Sequence, residues 1–539
     1  MDIAIYDTTL RDGCQAYGFS LSVEDKLRVA QRLDALGFQY IEGGWPGSNP
    51  RDEQFFARAK RLRWRNARLA AFGSTRRAGV TAEEDANLRL LLDAETPVAT
   101  IVGKASADQV RRVLGISLEE NLAMIADSVA FLKAAADKSD SGLREVMFDA
   151  EHFFDGYAAD PAYSLACLEA ADRAGADWLV LCDTNGGTLP STLAAVCERV
   201  RQRLDAPIGI HTHNDAEVAV ANALAAVEAG ARQVQGTING YGERVGNANL
   251  CSIIPNLQLK LGHHCLPEDS MSRLTELSRY VSEVGNAPHT LKLPYVGAEA
   301  FAHKAGLHVN AVLKGPETYE HVAPDAVGNQ RHVLVSDLSG RSNIQHKLDE
   351  LGLSLSPDQT TQLLRDVKRR ENQGLVYEDA DASFELLALR VLGSHTPEFH
   401  LQSYFVTTGH RRPGDGAEAT VKVRVGRTRV MEAAEGVGPV HALDAALRKA
   451  LLGFFPHLGA VRLIDYKVRI VDNDSATAAR VRVWIQATDG RNTWSTVGAS
   501  PNIVSASAAA LVDSLEYSRL AADRDEVLST DRFIAPLTG

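Results

Sequence analysis

Residues 207–239 read PIGIHTHNDAEVAVANALAAVEAGARQVQGTIN, and the pattern within them decides the fold class. The first seven residues have the apolar character of a short strand. Residues 216–230 place Ala, Val and Leu at helical spacing, and residues 233–239 return to a strand. Strand, helix and strand in succession make a βαβ unit, whose two strands run parallel. The same alternation extends upstream. Candidate strands lie at 2–7 (DIAIYD), 39–43, 68–73, 98–103, 144–150 and 178–183, with amphipathic segments such as 22–36 between most of them. Eight such units over about 250 residues fit a closed (β/α)8 TIM barrel better than an open doubly wound sheet.

Polar residues gather where these strands end: Asp7, Arg11 and Asp12 after the first, Glu42 on the second, Asp149 and Glu151 on the fifth. Asp183 and Thr184 end the sixth, His211 and His213 the seventh, and Asn239 to Asn247 follow the eighth. In a barrel these ends share one rim, where catalytic groups sit.

Past the barrel (1–265), residues 266–380 contain Pro288, Pro294, Pro316 and Pro324 and then a helical stretch near 357–372. They read as a connecting arm with a small helical subdomain. Residues 381–539 hold an internal repeat. Ala419-Thr-Val-Lys-Val-Arg-Val leads through Gly438-Pro439 into an apolar helix, and Ala479-Arg-Val-Arg-Val-Trp-Ile leads through Ser500-Pro501 into another. Two such units make an α+β domain, suited equally to holding an effector between them and to dimerisation.

The whole chain has 539 residues, enough for two or three domains, with 45% hydrophobic and 23% charged residues as in a globular protein. Its formal net charge of −12 speaks against a nucleic-acid partner, which requires a basic surface. The six cysteines form no C-x-x-C pair, as expected in a reducing compartment. Neither a signal peptide nor an apolar run long enough for a membrane span is visible, so a cytoplasmic location is expected.

In a strand, His211 and His213 point to one side and could chelate a divalent cation together. The alternative is a pair of hydrogen-bonded rim histidines. Asp12 favours the metal, because strands seven, eight and one are neighbours in a closed barrel. Arg11 beside it is either an anchor for an anionic substrate or half of an ion pair with Asp12 that ties down the loop. The run Asn239-Gly240-Tyr241-Gly242-Glu243-Arg244-Val245-Gly246-Asn247 has glycines one residue too far apart for a dinucleotide loop. A tight loop that brings Glu243 or Asn247 to the rim fits better.

DTTLRDG at 7–13, HTHND at 211–215 and GYGERVGNANL at 240–250 together resemble the 2-isopropylmalate, homocitrate and citramalate synthases. FDAEHFFDGY at 148–157, CDTNGGTLP at 182–190 and HKAGLHVNAVLKGPETYEHVAP at 303–324 extend the resemblance over nearly the whole chain. IEGGWPGSNPRD at 41–52 and TWSTVGASPNIVSASAAALVDSLEY at 493–517 look like the citramalate synthase branch.

The resemblance implies an acyltransferase that joins acetyl-CoA to a 2-oxo acid, pyruvate in this branch, as a first step of isoleucine biosynthesis. It implies metal ligands Asp12, His211, His213 and Asn247, with Mg²⁺ or Mn²⁺ ahead of Zn²⁺ or Co²⁺. Arg11, Glu151 and Thr184 would contact the 2-oxo acid. His308 and Tyr319 would serve catalysis in the partner subunit of a homodimer, and Glu151 is a second candidate base. The repeated domain would be regulatory, with isoleucine as effector. The position after Arg-Asp-Gly, commonly Glu in the family, is Cys14 here. Trp45 either narrows the substrate pocket or packs the barrel. A 2-isopropylmalate synthase, a metal-dependent lyase or aldolase on the same barrel, and a silent metabolite sensor remain as alternatives.

Overall fold

The computed structural model describes residues 1–138, 142–409, 416–471 and 478–531, with side chains as far as Ala522. It divides into two units, residues 1–301 with 321–331, and residues 302–320 with 332 onwards.

The first unit is built on a closed barrel of eight parallel strands in sequence order. They are β1 (Ala4–Asp7), β2 (Tyr40–Gly44), β3 (Arg68–Ser74), β4 (Val98–Lys104), β5 (Glu145–Glu151), β6 (Trp178–Asp183), β7 (Ile208–Thr212) and β8 (Gln233–Gly236). β8 pairs with β1 from Ala4↔Gln233 to Asp7↔Gly236 and closes the ring. The expected barrel is therefore present, each strand within a few residues of its expected place.

The helices between strands start and stop for local reasons. The helix Val23–Leu36 opens on Ser22, which accepts from the Asp25 amide in a capping box, and ends at Gly37 in the left-handed region at φ 89°. Its buried face (Leu27, Ala30, Leu33) joins the continuous core between strands and helices.

β8 is shorter than expected. After Gly236 the chain turns through Ile238–Gly240, and residues 247–249 return to lie between the ends of β7 and β8. The Ala248 amide donates to the Thr212 carbonyl, and the Thr237 amide donates to that of Ala248. This wedge extends the rim where two strands have diverged.

The second unit holds the helices Arg341–Glu350 and Pro357–Asn372, whose Ile344, Leu348, Leu363 and Val367 share a small core. The expected repeat follows. Strands Phe399–Thr408, Ala417–Val425 and Thr428–Gly436 form an antiparallel sheet followed by the helix Pro439–Leu451. Strands Arg462–Ile470, Val481–Thr488 and Thr493–Ser500 form another, followed by the helix Ile503–Asp531. The copies match in detail: each first strand carries a register shift, between Leu401 and Ser403 in one and between Leu463 and Asp465 in the other. Among the described residues no helix is long and apolar enough to cross a membrane.

Candidate metal centre and substrate cavity

Asp12 follows β1, His211 lies on β7 and His213 just beyond it, all buried. Period two along the strand directs both imidazoles to the rim. His211 Nε2 lies 3.3 Å from Asp12 Oδ2 and 3.4 Å from His213 Nε2. Two ligand atoms about 2.1 Å from one ion, separated by between an octahedral and a tetrahedral angle, stand about 3.0–3.4 Å apart. These three residues form the group that could hold a metal among the described residues.

The wedge supplies the fourth candidate. His213 and Asn247 form an isolated antiparallel bridge, and Asn247 is 2% exposed. Its Nδ2 donates to the Tyr241 carbonyl at 3.1 Å, so its Oδ1 is buried without a partner. Asn247 is bridged to His213, so its orphaned amide oxygen is a candidate addition to the carboxylate and two imidazoles, donors whose chemistry suits a divalent cation. The loop's glycines permit this arrangement. A Cβ at Gly246, where φ is +101°, would stand 1.9 Å from the Gly240 carbonyl oxygen, and one at Gly242 would strike Asn247 Nδ2 at 2.1 Å.

Burial would lower the His211 imidazole, but Asp12 and Asp149 outweigh it and hold it above its ordinary value. Burial alone would raise the Asp12 carboxyl, but Arg11 and His211 outweigh it and hold it well below the usual carboxylate range. Burial, aided by His211, lowers His213 to about 4, leaving its ring neutral near pH 7.

These groups line a cavity of about 310 Å³ together with Arg11, Trp45, Phe72, Val102, Asp149, Glu151, Thr184 and Glu243. Arg11 is more than half of an ion pair with Asp12. Its Nε is 2.7 Å from Glu42 Oε2, its Nη1 is 3.7 Å from Asp12, and its guanidinium stacks 3.8 Å from the Phe72 ring centroid. Glu42 also accepts from Tyr6 Oη and Thr8 Oγ1 and is fully buried. Glu151 Oε2 pairs with Lys104 Nζ at 2.6 Å, across the β4–β5 register. The Thr184 hydroxyl accepts from the His152 amide at 2.8 Å. Trp45 stands edge-on to Phe72 at 5.5 Å and donates to Asn87 Oδ1, so it both packs the barrel wall and faces the cavity. The Cys14 thiol is pushed up to about 11 by burial, so it is protonated near pH 7 and supplies no substitute carboxylate.

Arg11, Asp12, Glu151, Thr184, His211 and His213 thus share one cavity, with Asn247 bridged to His213. His308 and Tyr319 belong to the second unit. They are exposed, and their rings stack at 4.3 Å and 29°. Sequence reasoning placed Glu42 and Asp149 on the rim without a specific role and did not single out Lys104 or Gln235. A lone carboxylate inside the apolar run of β2 and two glutamines inside β8 were the available signals.

The chain matches the HMGL-like family model over residues 2–281, the homocitrate synthase post-HMGL domain-like model over 295–374, and the LeuA allosteric (dimerisation) domain over 378–519. It is 51% identical to an (R)-citramalate synthase of Aquifex aeolicus over 98% of this chain and 99% of that protein. It is 52% identical to one of Geobacter sulfurreducens over 96% and 97%. Identity to a probable 2-isopropylmalate synthase of Methanopyrus kandleri is 34%, over 95% and 97%. Barrel, intact rim triad, repeated C-terminal domain and near-full-length identity together place the chain in the (R)-citramalate synthase family, among the HMGL-like acyltransferases that carry a LeuA allosteric domain.

Proposed function

We propose that this chain condenses acetyl-CoA with pyruvate and water to give (R)-citramalate and CoA. The observation that carries the reading is its identity, about half of all positions over nearly the full length, to proteins named (R)-citramalate synthase, against 34% for the 2-isopropylmalate synthase relative. The cavity is compatible with a small acceptor: its volume is about 310 Å³, and Trp45, Phe72 and Val102 contribute apolar surface.

Asp12, His211, His213 and Asn247 would hold a divalent cation, Mg²⁺ or Mn²⁺ ahead of Zn²⁺ or Co²⁺. The cation would supply Lewis-acid stabilisation of the charge developing on the ketone oxygen. Arg11, held by Glu42 and Phe72, offers a fixed positive charge for the acceptor's carboxylate or ketone. Glu151 and Thr184 border the acceptor, with Glu151 fixed by Lys104. The acetyl methyl requires a base within reach. We assign this role to the partner's His308 with the partner's Tyr319, and Glu151 is the barrel's own alternative. Attack on the ketone gives a citramalyl thioester, and its hydrolysis releases CoA and makes the sequence effectively irreversible.

In the cell this reaction would open isoleucine synthesis in the cytoplasm. The protein would act as a homodimer, with barrel, arm and C-terminal domain as its three parts and isoleucine as an effector at the last. The test is CoA release with pyruvate, 2-oxobutyrate, 2-oxoisovalerate and 2-oxoglutarate. The expected result is highest kcat/KM for pyruvate. Preference for 2-oxoisovalerate would move the chain to the 2-isopropylmalate synthases.

A further inference from the structure

We propose that Gln235, kept in one orientation by Asp149 and Gln233, is the positioning residue that decides which ring nitrogen of His211 is offered to the divalent cation. The inference rests on the metal reading above and concerns side chains behind the ligands. Barrel interiors are filled mainly by branched apolar side chains. β8 instead carries Gln233 and Gln235 there, 0% and 1% exposed. Two buried amides are costly unless their hydrogen bonds are satisfied.

Gln235 Oε1 lies 2.8 Å from His211 Nδ1. An amide oxygen only accepts, so Nδ1 carries a proton, and Nε2 is the nitrogen whose lone pair a cation would take. That Nε2 is the atom facing Asp12 and His213. The amide cannot turn over without loss. Gln235 Nε2 donates to Asp149 Oδ1 at 3.2 Å and to Gln233 Oε1 at 3.4 Å. Reversed, its oxygen would face two oxygens and its NH₂ would meet the imidazole N–H. Gln233 in turn donates from Nε2 to Met147 Sδ at 3.5 Å, which turns its own oxygen toward Gln235.

The chain His211, Gln235, Gln233, Met147 therefore has each donor directed away from His211. A hydrogen bond accepted from the far nitrogen orients a ligating imidazole and raises the basicity of the near one. His213 has no such support, since its Nδ1 is buried without a partner. His211 is the preset ligand of the two, and His213 the one free to adapt.

The test is calorimetric titration of the metal-free protein with Mn²⁺, alongside thermal melting of each metal-free variant. Q235L keeps the bulk and removes the acceptor, and is expected to weaken Mn²⁺ binding about 10- to 100-fold. Q235E retains the acceptor toward His211 but turns its second oxygen on Asp149 Oδ1 and Gln233 Oε1, so it is expected to recover part of the loss and bind Mn²⁺ better than Q235L, a rescue that a purely structural role would not produce. Q233M, which removes one of the two acceptors of the Gln235 amide and leaves Asp149, is expected to weaken binding by about threefold, and it decides the matter if Q235L does not fold. Q235L binding as the parent does, Q235E failing as badly as Q235L, or an unaffected Q233M would each overturn the proposal. A parent that takes up no Mn²⁺ overturns the metal reading itself, and the inference with it.

Discussion

Asp7 ends β1 with its side chain fully buried, accepting from both the amide and the hydroxyl of Thr9. Burial raises its carboxyl to about 7, and the two Thr9 hydrogen bonds oppose the rise only in part. In an unfolded chain the same group titrates near 3.9. Between roughly pH 4 and 7 the folded protein keeps a proton that the unfolded chain has lost. Stability from this group therefore falls as pH rises, by at most about 1.4 kcal/mol per unit, and levels off above its folded value. An Asp7→Asn variant lacks this titration, so its urea midpoint should gain on the parent's as pH goes from 5 to 8. Parallel midpoint curves would refute the assignment. At this scale the sequence was legible where one periodicity sufficed: His211 and His213 share a side because they are two residues apart on a strand. Glu42 and Gln235 were not legible in the same way. Their partners, Arg11 and His211, lie 31 and 24 residues away, on other strands or loops. Which atom faces which is settled only when the barrel closes.

Between strands and helices, the rim loop after β8 is the element that does most for the site. Its glycine spacing excluded a nucleotide loop and left a tight turn, and the structure has that turn. Invisible beforehand was the return of residues 247–249 into the gap between β7 and β8, because it depends on two strands diverging at their ends. The helices were more readily read, since their caps are local: Ser22 and Gly37 bracket one helix, and Ser356 opens the helix Pro357–Asn372. The loop yields a sharp expectation. Gly246 has a φ of +101°, and an added Cβ would meet a backbone oxygen that has little freedom to retreat. Gly246→Ala should displace Asn247 and weaken Mn²⁺ uptake by about tenfold or more, the range for disturbed ligand support. The barrel's far-ultraviolet circular dichroism should be unchanged. Undiminished uptake would remove Asn247 from the ligand set.

At the scale of the whole molecule, the described residues of the repeated domain leave apolar surface uncovered. Each three-stranded sheet places its first strand at an edge. Phe405 on one edge strand is 72% exposed. On the other, Val468 and Ile470 are 43% and 55% exposed, although their cross-strand partners Val483 and Val481 belong to or pack against the domain core. The repeat itself was legible, because it lies in the order of residues along one chain. What covers these edges was not, because the sequence of one copy does not show its partner. Unpaired edge strands with exposed branched residues invite pairing with another chain, and this region matches the LeuA allosteric (dimerisation) domain. Sedimentation should therefore give a species of twice the 58.3 kDa chain mass. Charge is costly in a buried interface, so a V468E/I470E double variant should shift the protein toward monomer at micromolar concentration. Its metal-free barrel should still bind Mn²⁺, since the substitutions lie outside the barrel unit. A monomeric parent, or a double variant that sediments as the parent does, would show that these edges are not the dimer contact.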